Sequence, residues 1–453
     1  MTHRLRRAGA FAAVATLVLG APALGPAAAA PFALVAVLAA FVVDEGPLFE
    51  LFARPGDHED RRLNGLAGFA LAAAGLGILT MEFPGAVPMP DTVFAAAVLT
   101  LAYGNLGREL VRTATTDEFA VVAGFVAAAT LAGTVGQAFV AALAGEFSVG
   151  AVPEYAFLAA VGALVAALLR SILFGRDDPL VMVSVGFLLW LFAGLTGTVP
   201  AVLVAVGLGL AVALGWVSYA LDAASVPGML TGVLLAALSV VLGGYGWFAV
   251  LISFFSVGAL ATKYRYEEKR ARGVAEGNDG ARGTGNVLGN AAVALFAVVG
   301  YAAAARLLDP ALPLAGVAPT LLAFAFAGSV AAAMADTLSS EFGGLYDAPR
   351  LVTTFEPVEP GTDGAVTWQG ELAGLAGAAL VGAIAAFLMP LGGAAPALVV
   401  VAGAGFVGMT VDSLLGATVE GERLTNQAVN FLATLAGALA GAVMAFPLVV
   451  SIV

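Results

Sequence analysis

Asp336, Ser339, Ser340 and Glu341 stand where a long apolar run meets a polar, proline-broken one, in GSVAAAMADTLSSEFGGLYDAPRLVTTFEPVEPGTDG from Gly328 to Gly364. Ionisable groups at membrane depth persist where they face a cavity or hold a ligand. The plainer alternative is an interfacial loop in which Asp336 caps a short helix that stops at Gly343-Gly344. A second acid, Asp412, occupies a matching context. Asp336-Thr337-Leu338 and Asp412-Ser413-Leu414 each end a glycine-containing run. Downstream, Thr362-Asp363-Gly364-Ala365-Val366 precedes Leu372-Ala373-Gly374, and Thr425-Asn426-Gln427-Ala428-Val429 precedes Leu435-Ala436-Gly437 with the same internal spacing. This reads as a parallel internal repeat about an axis along the membrane normal. It would set Asp336 opposite Asp412 across a pocket. Two carboxylates that stay ionised at close range need a cation between them. Mg²⁺ or another hard divalent cation, held by one or two carboxylates together with phosphate oxygens, is the usual arrangement.

Amides and glycines supply the other half of such a site. Asn286 and Asn290 are four apart at the start of one expected helix, as are Asn426 and Asn430 at the start of another, so each pair shares a face. The leading asparagine of each pair could be an N-cap; the second lies one turn deeper, where an amide needs a partner or a ligand. The stretch GNDGARGTGNVLGN, Gly277 to Asn290, carries Arg282 and Gly285 and feeds a helix N-terminus, a combination that favours phosphate. It lacks the Gly-Lys-Ser/Thr of a P-loop, and by itself it also reads as a flexible basic loop. Small residues on either side, GSVAAAMAD and GAGFVGMTVD, either leave room for an acyl or prenyl chain or let helices pack closely.

The elements that must position these groups are membrane helices. At 61% hydrophobic and 11% charged residues, with mean hydropathy +0.99, the chain is an all-α, polytopic integral membrane bundle rather than a soluble domain. Apolar runs of roughly seventeen residues or more recur, and about fifteen transmembrane helices are expected. Cysteine is absent and His3 and His58 are the only histidines, which removes thiolate ligands and leaves too few imidazoles for a usual zinc site. The net charge of −12 fits a high-salt habitat, and no nucleic-acid partner is expected.

Basic residues test the helix count. Arg4, Arg6, Arg7, Arg54, Arg61, Arg62, Arg108, Arg112, Arg170, Arg176, Lys263, Arg265, Lys269, Arg270, Arg272, Arg282, Arg350 and Arg423 all fall on one side if the helices alternate, and only Arg306 falls on the other. The basic side is cytoplasmic by the positive-inside rule, with the N-terminus inside and the Asp336 loop opening inward. The arginines ahead of Ala8–Ala30 permit a signal peptide; an uncleaved first helix is preferred, followed by a second run from Phe32 to Val43. Residues 1–220 form a helical region of unassigned role, its charges read as caps and anchors, and 221–453 carry the patterned polar groups.

From about Ser225 onward the chain resembles the integral membrane family of the plant phytyl-phosphate kinase and transmembrane protein 19. The matching stretches are GGYGWFAVLISFFSVGALATK, GTGNVLGN, ADTLSSEFG, PGTDGAVTWQGELAGLAGA and VDSLLGATVE followed by TNQAVNF. The resemblance implies phosphorylation of an isoprenoid monophosphate to the diphosphate by a nucleoside triphosphate, CTP by analogy with related lipid kinases. In this reading Asp336 and Asp412 hold Mg²⁺, Glu341 orients a metal-bound water or ligand, and Lys263 and Arg282 neutralise phosphate charge. Asn286, Asn290, Asn426 and Asn430 contact nucleotide or phosphate oxygens, Ser340 and Gly285 belong to the same surface, and the turn holding Gly361, Thr362 and Gly364 closes over the nucleotide. The alternatives are a cytidylyltransferase that forms a CDP-lipid, and a transporter or flippase of an anionic solute.

Overall fold

The computed structural model describes residues 3–173, 177–197, 199–221, 224–275, 283–312, 314–421 and 423–450. Its helices are α1 (His3–Ala15), α2 (Ala21–Leu24), α3 (Ala30–Phe41), α4 (Gly46–Phe52), α5 (Asp57–Asp60), α6 (Asn64–Ile78), α7 (Asp91–Val111), α8 (Glu118–Leu143), α9 (Val152–Ile172) and α10 (Asp178–Thr196). Then follow α11 (Ala201–Ala220), α12 (Val226–Leu238), α13 (Tyr245–Lys263), α14 (Tyr266–Ala271), α15 (Thr284–Leu307), α16 (Ala318–Gly343), α17 (Trp368–Leu388), α18 (Ala394–Gly416) and α19 (Asn426–Val450). A short antiparallel pair, β1 (Arg350–Leu351) with β2 (Ala365–Val366), sits between α16 and α17. The chain forms two compact units, residues 1–208 and 209–453.

Among the described residues 12 helices are long and apolar enough to span a bilayer, or 13 if one bent pair counts as a span. This is fewer than the count expected from sequence, and three runs account for the difference. The run at 32–43 becomes α3, which breaks at Asp44-Glu45 and meets α4 at 106°. An extended Glu45 followed by Gly46 at φ 88° interrupts the helix there. The second, α6, is only 15 residues long. The third, α7, reaches 21 residues but carries Asn105, Arg108 and Glu109 in its second half, and its stretch from Val93 to Ala102 is wholly buried.

In unit 1 the basic residues gather at one end. Arg7 feels the charges of Arg4 and Arg54, and Arg170 feels those of Arg54, Arg108 and Arg112. Asp178, nearly inaccessible, takes Arg54 on one carboxylate oxygen at 2.8 Å and Arg170 on the other. One acid between two guanidiniums is stable there because both oxygens are satisfied.

In unit 2 the core is the quartet α16–α19. Here the small residues let backbones touch: a Cβ built on Gly328 would lie 2.5 Å from the Gly437 carbonyl oxygen, and one on Gly437 would lie 2.6 Å from the Ala332 methyl. The stretches GSVAAAMAD and GAGFVGMTVD are therefore helix-packing surfaces rather than room for a lipid chain. Trp247 of α13 seals the flank against Tyr301 and Phe326, with ring centroids 4.7 and 4.5 Å away.

Candidate active site

At one end of unit 2, helix termini of opposite polarity converge. Asp336, two turns before the end of α16, and Asp412, about one turn before the end of α18, meet the opening turns of α15 and α19, which bring the two asparagine pairs. Between them lies a cavity of about 450 Å³, lined by Asn286, Asn290, Asp336, Thr337, Ser340, Glu341, Asp412, Ser413, Glu420, Asn426 and Asn430 and by the turn 360–364.

The carboxyl groups of the two aspartates face each other at close range. Asp412 Oδ2 is buried without any hydrogen-bond partner. Asp412 lies about a turn from the α18 C-terminus, where the negative end of the macrodipole disfavours a carboxylate. Two carboxylates at close range, one with an orphaned oxygen, fit a hard cation that would satisfy both, and the all-oxygen donor set suits Mg²⁺. No group of three or more acids or histidines suited to a metal occurs among the described residues, so the remaining ligands would have to come from phosphate and water.

The amide side is built from local bonds. Asn290 donates to the Asn286 carbonyl at 3.0 Å, and Asn430 lies 3.4 Å from Asn426 Oδ1. Both deeper asparagines are buried. Glu420 neighbours Asp363 and accepts from Asn426; burial and then Asp363 raise its pKa above the ordinary glutamate value, and Asn426 opposes the rise.

The wall formed by residues 360–364 is held by the hairpin, with Val352 N–H donating to the Gly364 carbonyl at 3.1 Å. Gly364 adopts φ +73°, and a Cβ there would strike Ala417 N at 2.4 Å, so only glycine fits between this turn and the end of α18. Thr362 closes the turn by donating to the Glu359 carbonyl at 2.8 Å.

The profile of the family described as "Integral membrane protein DUF92" matches residues 209–438. The chain belongs to this family. An uncharacterized membrane protein of Methanocaldococcus jannaschii is 36% identical over 204 residues, covering 44% of this chain and 76% of that protein. An uncharacterized membrane protein of Synechocystis sp. is 34% identical over 203 residues, covering 43% of this chain and 72% of its own length. Protein VTE6, chloroplastic, of Arabidopsis thaliana is 29% identical over 212 residues, covering 44% of this chain and 59% of its own. No solved structure matches. Every residue lining the cavity falls inside the DUF92 stretch.

Within this DUF92 unit most of the residues singled out from sequence meet at the cavity; Lys263, Gly285, Glu341 and Arg282 are the four exceptions to the expected arrangement. Lys263 is not there: its ammonium is exposed and donates to the Leu221 carbonyl at 2.8 Å, because it caps the outer corner where α13 ends. Gly285 is not among the residues lining the cavity; it is exposed at the start of α15, where a Cβ would make only an ordinary contact with Gln427 of α19 at 3.6 Å. Glu341 lines the cavity, but its Oε2 is held by Lys269, so it is not a free carboxylate for a water or ligand. Arg282 lies outside the described residues.

Lys269 itself went unnoticed as a site-building residue. Its ammonium, 1% exposed, donates to Glu341 and to the Ala261 and Thr262 carbonyls at 2.9 and 2.7 Å. It thereby caps α13 and pins α14 to α16. In sequence it was one more cation in a basic run. Thr367 and Glu420 also line the cavity without a signal read from the sequence; Thr367 caps α17 by accepting from Gly370 N–H at 3.1 Å, and its position before Trp368-Gln369-Gly370 is the available signal.

Proposed function

We propose that this protein is a membrane-embedded kinase of isoprenoid monophosphates, using a nucleoside triphosphate of CTP type. The observation that carries the reading is the meeting of two aspartates from α16 and α18 with the amide-bearing opening turns of α15 and α19 around one cavity. Phosphate groups are favoured at the N-termini of α15, α17 and α19, and a cation is favoured between Asp336 and Asp412. Resemblance to the phytyl-phosphate kinase family, at the modest identity to VTE6, supplies the substrate class.

Asp336 and Asp412 would hold Mg²⁺, which when bound neutralises charge on the transferring phosphoryl group. Asn286, Asn290, Asn426 and Asn430 present amides to nucleotide or phosphate oxygens. The turn at Gly361, Thr362 and Gly364 walls in the nucleotide. No general base is required, because an acceptor phosphate oxygen is already a nucleophile. Two further readings accompany this one. Duplication of a two-helix unit, α16–α17 and α18–α19, explains why each half delivers an aspartate from its first helix and opens its second at the same cavity. The excess of basic residues on the cavity side orients that side to the cytoplasm.

The test is purified protein with geranylgeranyl monophosphate, Mg²⁺ and each of four nucleoside triphosphates, with products resolved. Prenyl diphosphate and a nucleoside diphosphate are expected; a CDP-lipid with pyrophosphate would mean cytidylyl transfer instead. D336N and D412N should each lower turnover by roughly a hundredfold or more, since even partners outside the first coordination layer are worth 10–100-fold. Wild-type turnover in both variants would remove the metal assignment.

A further inference from the structure

The cavity of unit 2 is graded in exposure. Asn290 and Asn430, 6% and 8% exposed, line its deep end. Its mouth is lined by Val274, Tyr346, Pro360 and Gly361, and Tyr346 is 44% exposed. These residues adjoin one another. A Cβ built on Gly344 would lie 3.1 Å from one Val274 methyl, a Cβ on Gly361 would lie 3.5 Å from the other, and Tyr346 N–H donates to the Gly343 carbonyl at 3.1 Å. Gly343 ends α16 seven residues after Asp336, about 10 Å further along the helix axis. That is the reach from a metal-bound phosphate through a ribose to the base it carries.

The mouth is also neutral. Lys269 is paired with Glu341, and Arg272, which lies 3.5 Å from the Gly344 carbonyl oxygen, is paired with Asp347 at 2.9 Å. Such a surface is a poor seat for phosphate and suits the uncharged end of a nucleotide. The Tyr346 ring stacks on no other aromatic side chain and its hydroxyl makes no hydrogen bond among the described residues. An open aromatic face is what a nucleobase stacks on. Asp347, Glu359 and Thr362, all exposed, bound the patch, which fits a flat base better than a long isoprenoid tail.

We propose that Tyr346, flanked by Val274 and Pro360, is the platform on which the nucleobase of the phosphoryl donor stacks. The inference rests on the kinase reading only in taking a nucleotide as ligand. Purified full-length protein in neutral detergent with Mg²⁺ is titrated with a β,γ-methylene analogue of CTP, with inorganic tripolyphosphate and with geranylgeranyl monophosphate. Binding is read as a concentration-dependent rise in thermal midpoint.

Wild type is expected to hold the analogue at least tenfold more tightly than tripolyphosphate. Y346L keeps the apolar surface and loses the aromatic face, so it should bind the analogue about tenfold more weakly, the worth of one stacked base, with tripolyphosphate unchanged; Y346F should restore wild-type affinity. Wild type irradiated with 5-iodo-CTP should crosslink at Tyr346, read by peptide mass spectrometry, and this arm needs no variant to fold. Equal weakening of analogue and tripolyphosphate in Y346L, no weakening at all, or a crosslink only elsewhere would overturn the proposal. So would a loss confined to geranylgeranyl monophosphate, which would give the surface to the isoprenoid. Tyr346-dependent binding of the analogue without formation of prenyl diphosphate would sink the kinase reading and leave the platform; turnover with an unchanged KM for CTP in Y346L would do the reverse.

Discussion

Replacing Lys269 by methionine should be among the most damaging single changes in unit 2. Its side chain is 1% exposed and that of Glu341 7%, so the substitution strands a carboxylate away from water and also unbinds the Ala261 and Thr262 carbonyls at the end of α13. Breaking a buried pair from one side costs about 3–5 kcal/mol. E341Q should cost less, about 1.5–3 kcal/mol, because an amide oxygen can still accept from the ammonium, which keeps its two carbonyls. K269M/E341L removes both charges, and desolvation is no longer opposed by an unpaired partner. It is expected within about 2 kcal/mol of wild type. Denaturant titration of the purified protein in detergent, followed by helical circular dichroism and by protease sensitivity of the α13–α14 junction, measures all three. With E341L as the second single variant, the double-mutant cycle should return a coupling of about 2 kcal/mol or more. A loss below about 1 kcal/mol in K269M, or a double variant as unstable as the sum of the singles, would refute the view that this pair holds α14 onto α16.

Two further outcomes follow from packing and charge. G437A places a methyl 2.6 Å from the Ala332 methyl and 2.7 Å from the Gly328 carbonyl oxygen, and should cost about 1–3 kcal/mol by overpacking; G232A, where a Cβ meets nothing within 4 Å, should be neutral or stabilising, and equal melting of the two would contradict the close-packing account. Glu420 has its pKa raised by burial and Asp363, so the folded state keeps its proton longer than the unfolded chain does and stability drains away as pH rises through the carboxylate range towards the raised value. E420Q should therefore gain stability relative to wild type as pH climbs from about 4 to 7, and a constant difference between their thermal midpoints across that range would contradict it.

The hydropathy pattern made the helices legible because lipid leaves the backbone no partner but itself. Runs such as 118–143 or 394–416 have little choice of conformation. The pattern misjudged residues 32–43, 64–78 and 91–111 for an equally physical reason. A run's apolarity does not say whether it is encased by protein, as α7 is, or broken by a glutamate and a glycine at 45–46. For the site, residue type and repeated spacing were enough to pick out Asp336, Asp412 and the four asparagines. Lys263 and Lys269 could not be told apart in one dimension. They are six positions apart, Lys263 ending α13 and Lys269 following it, and only the left-handed Arg265 at φ 51° turns α14 back so that Lys269 points inward while Lys263 stays outside.

What the amino-acid string determined by itself was the membrane class, the all-helical backbone and the list of residue types able to meet phosphate and a hard cation. Solvation dictates these, and solvation is a local property of composition. Tertiary structure alone decided that Asp336 faces Asp412 at close range, that the glycine stripes are filled by neighbouring helices, and that Glu341 already has a partner. Each depends on which faces of α16, α18 and α19 meet and at what distance, and that is set by side-chain packing between segments far apart in the chain.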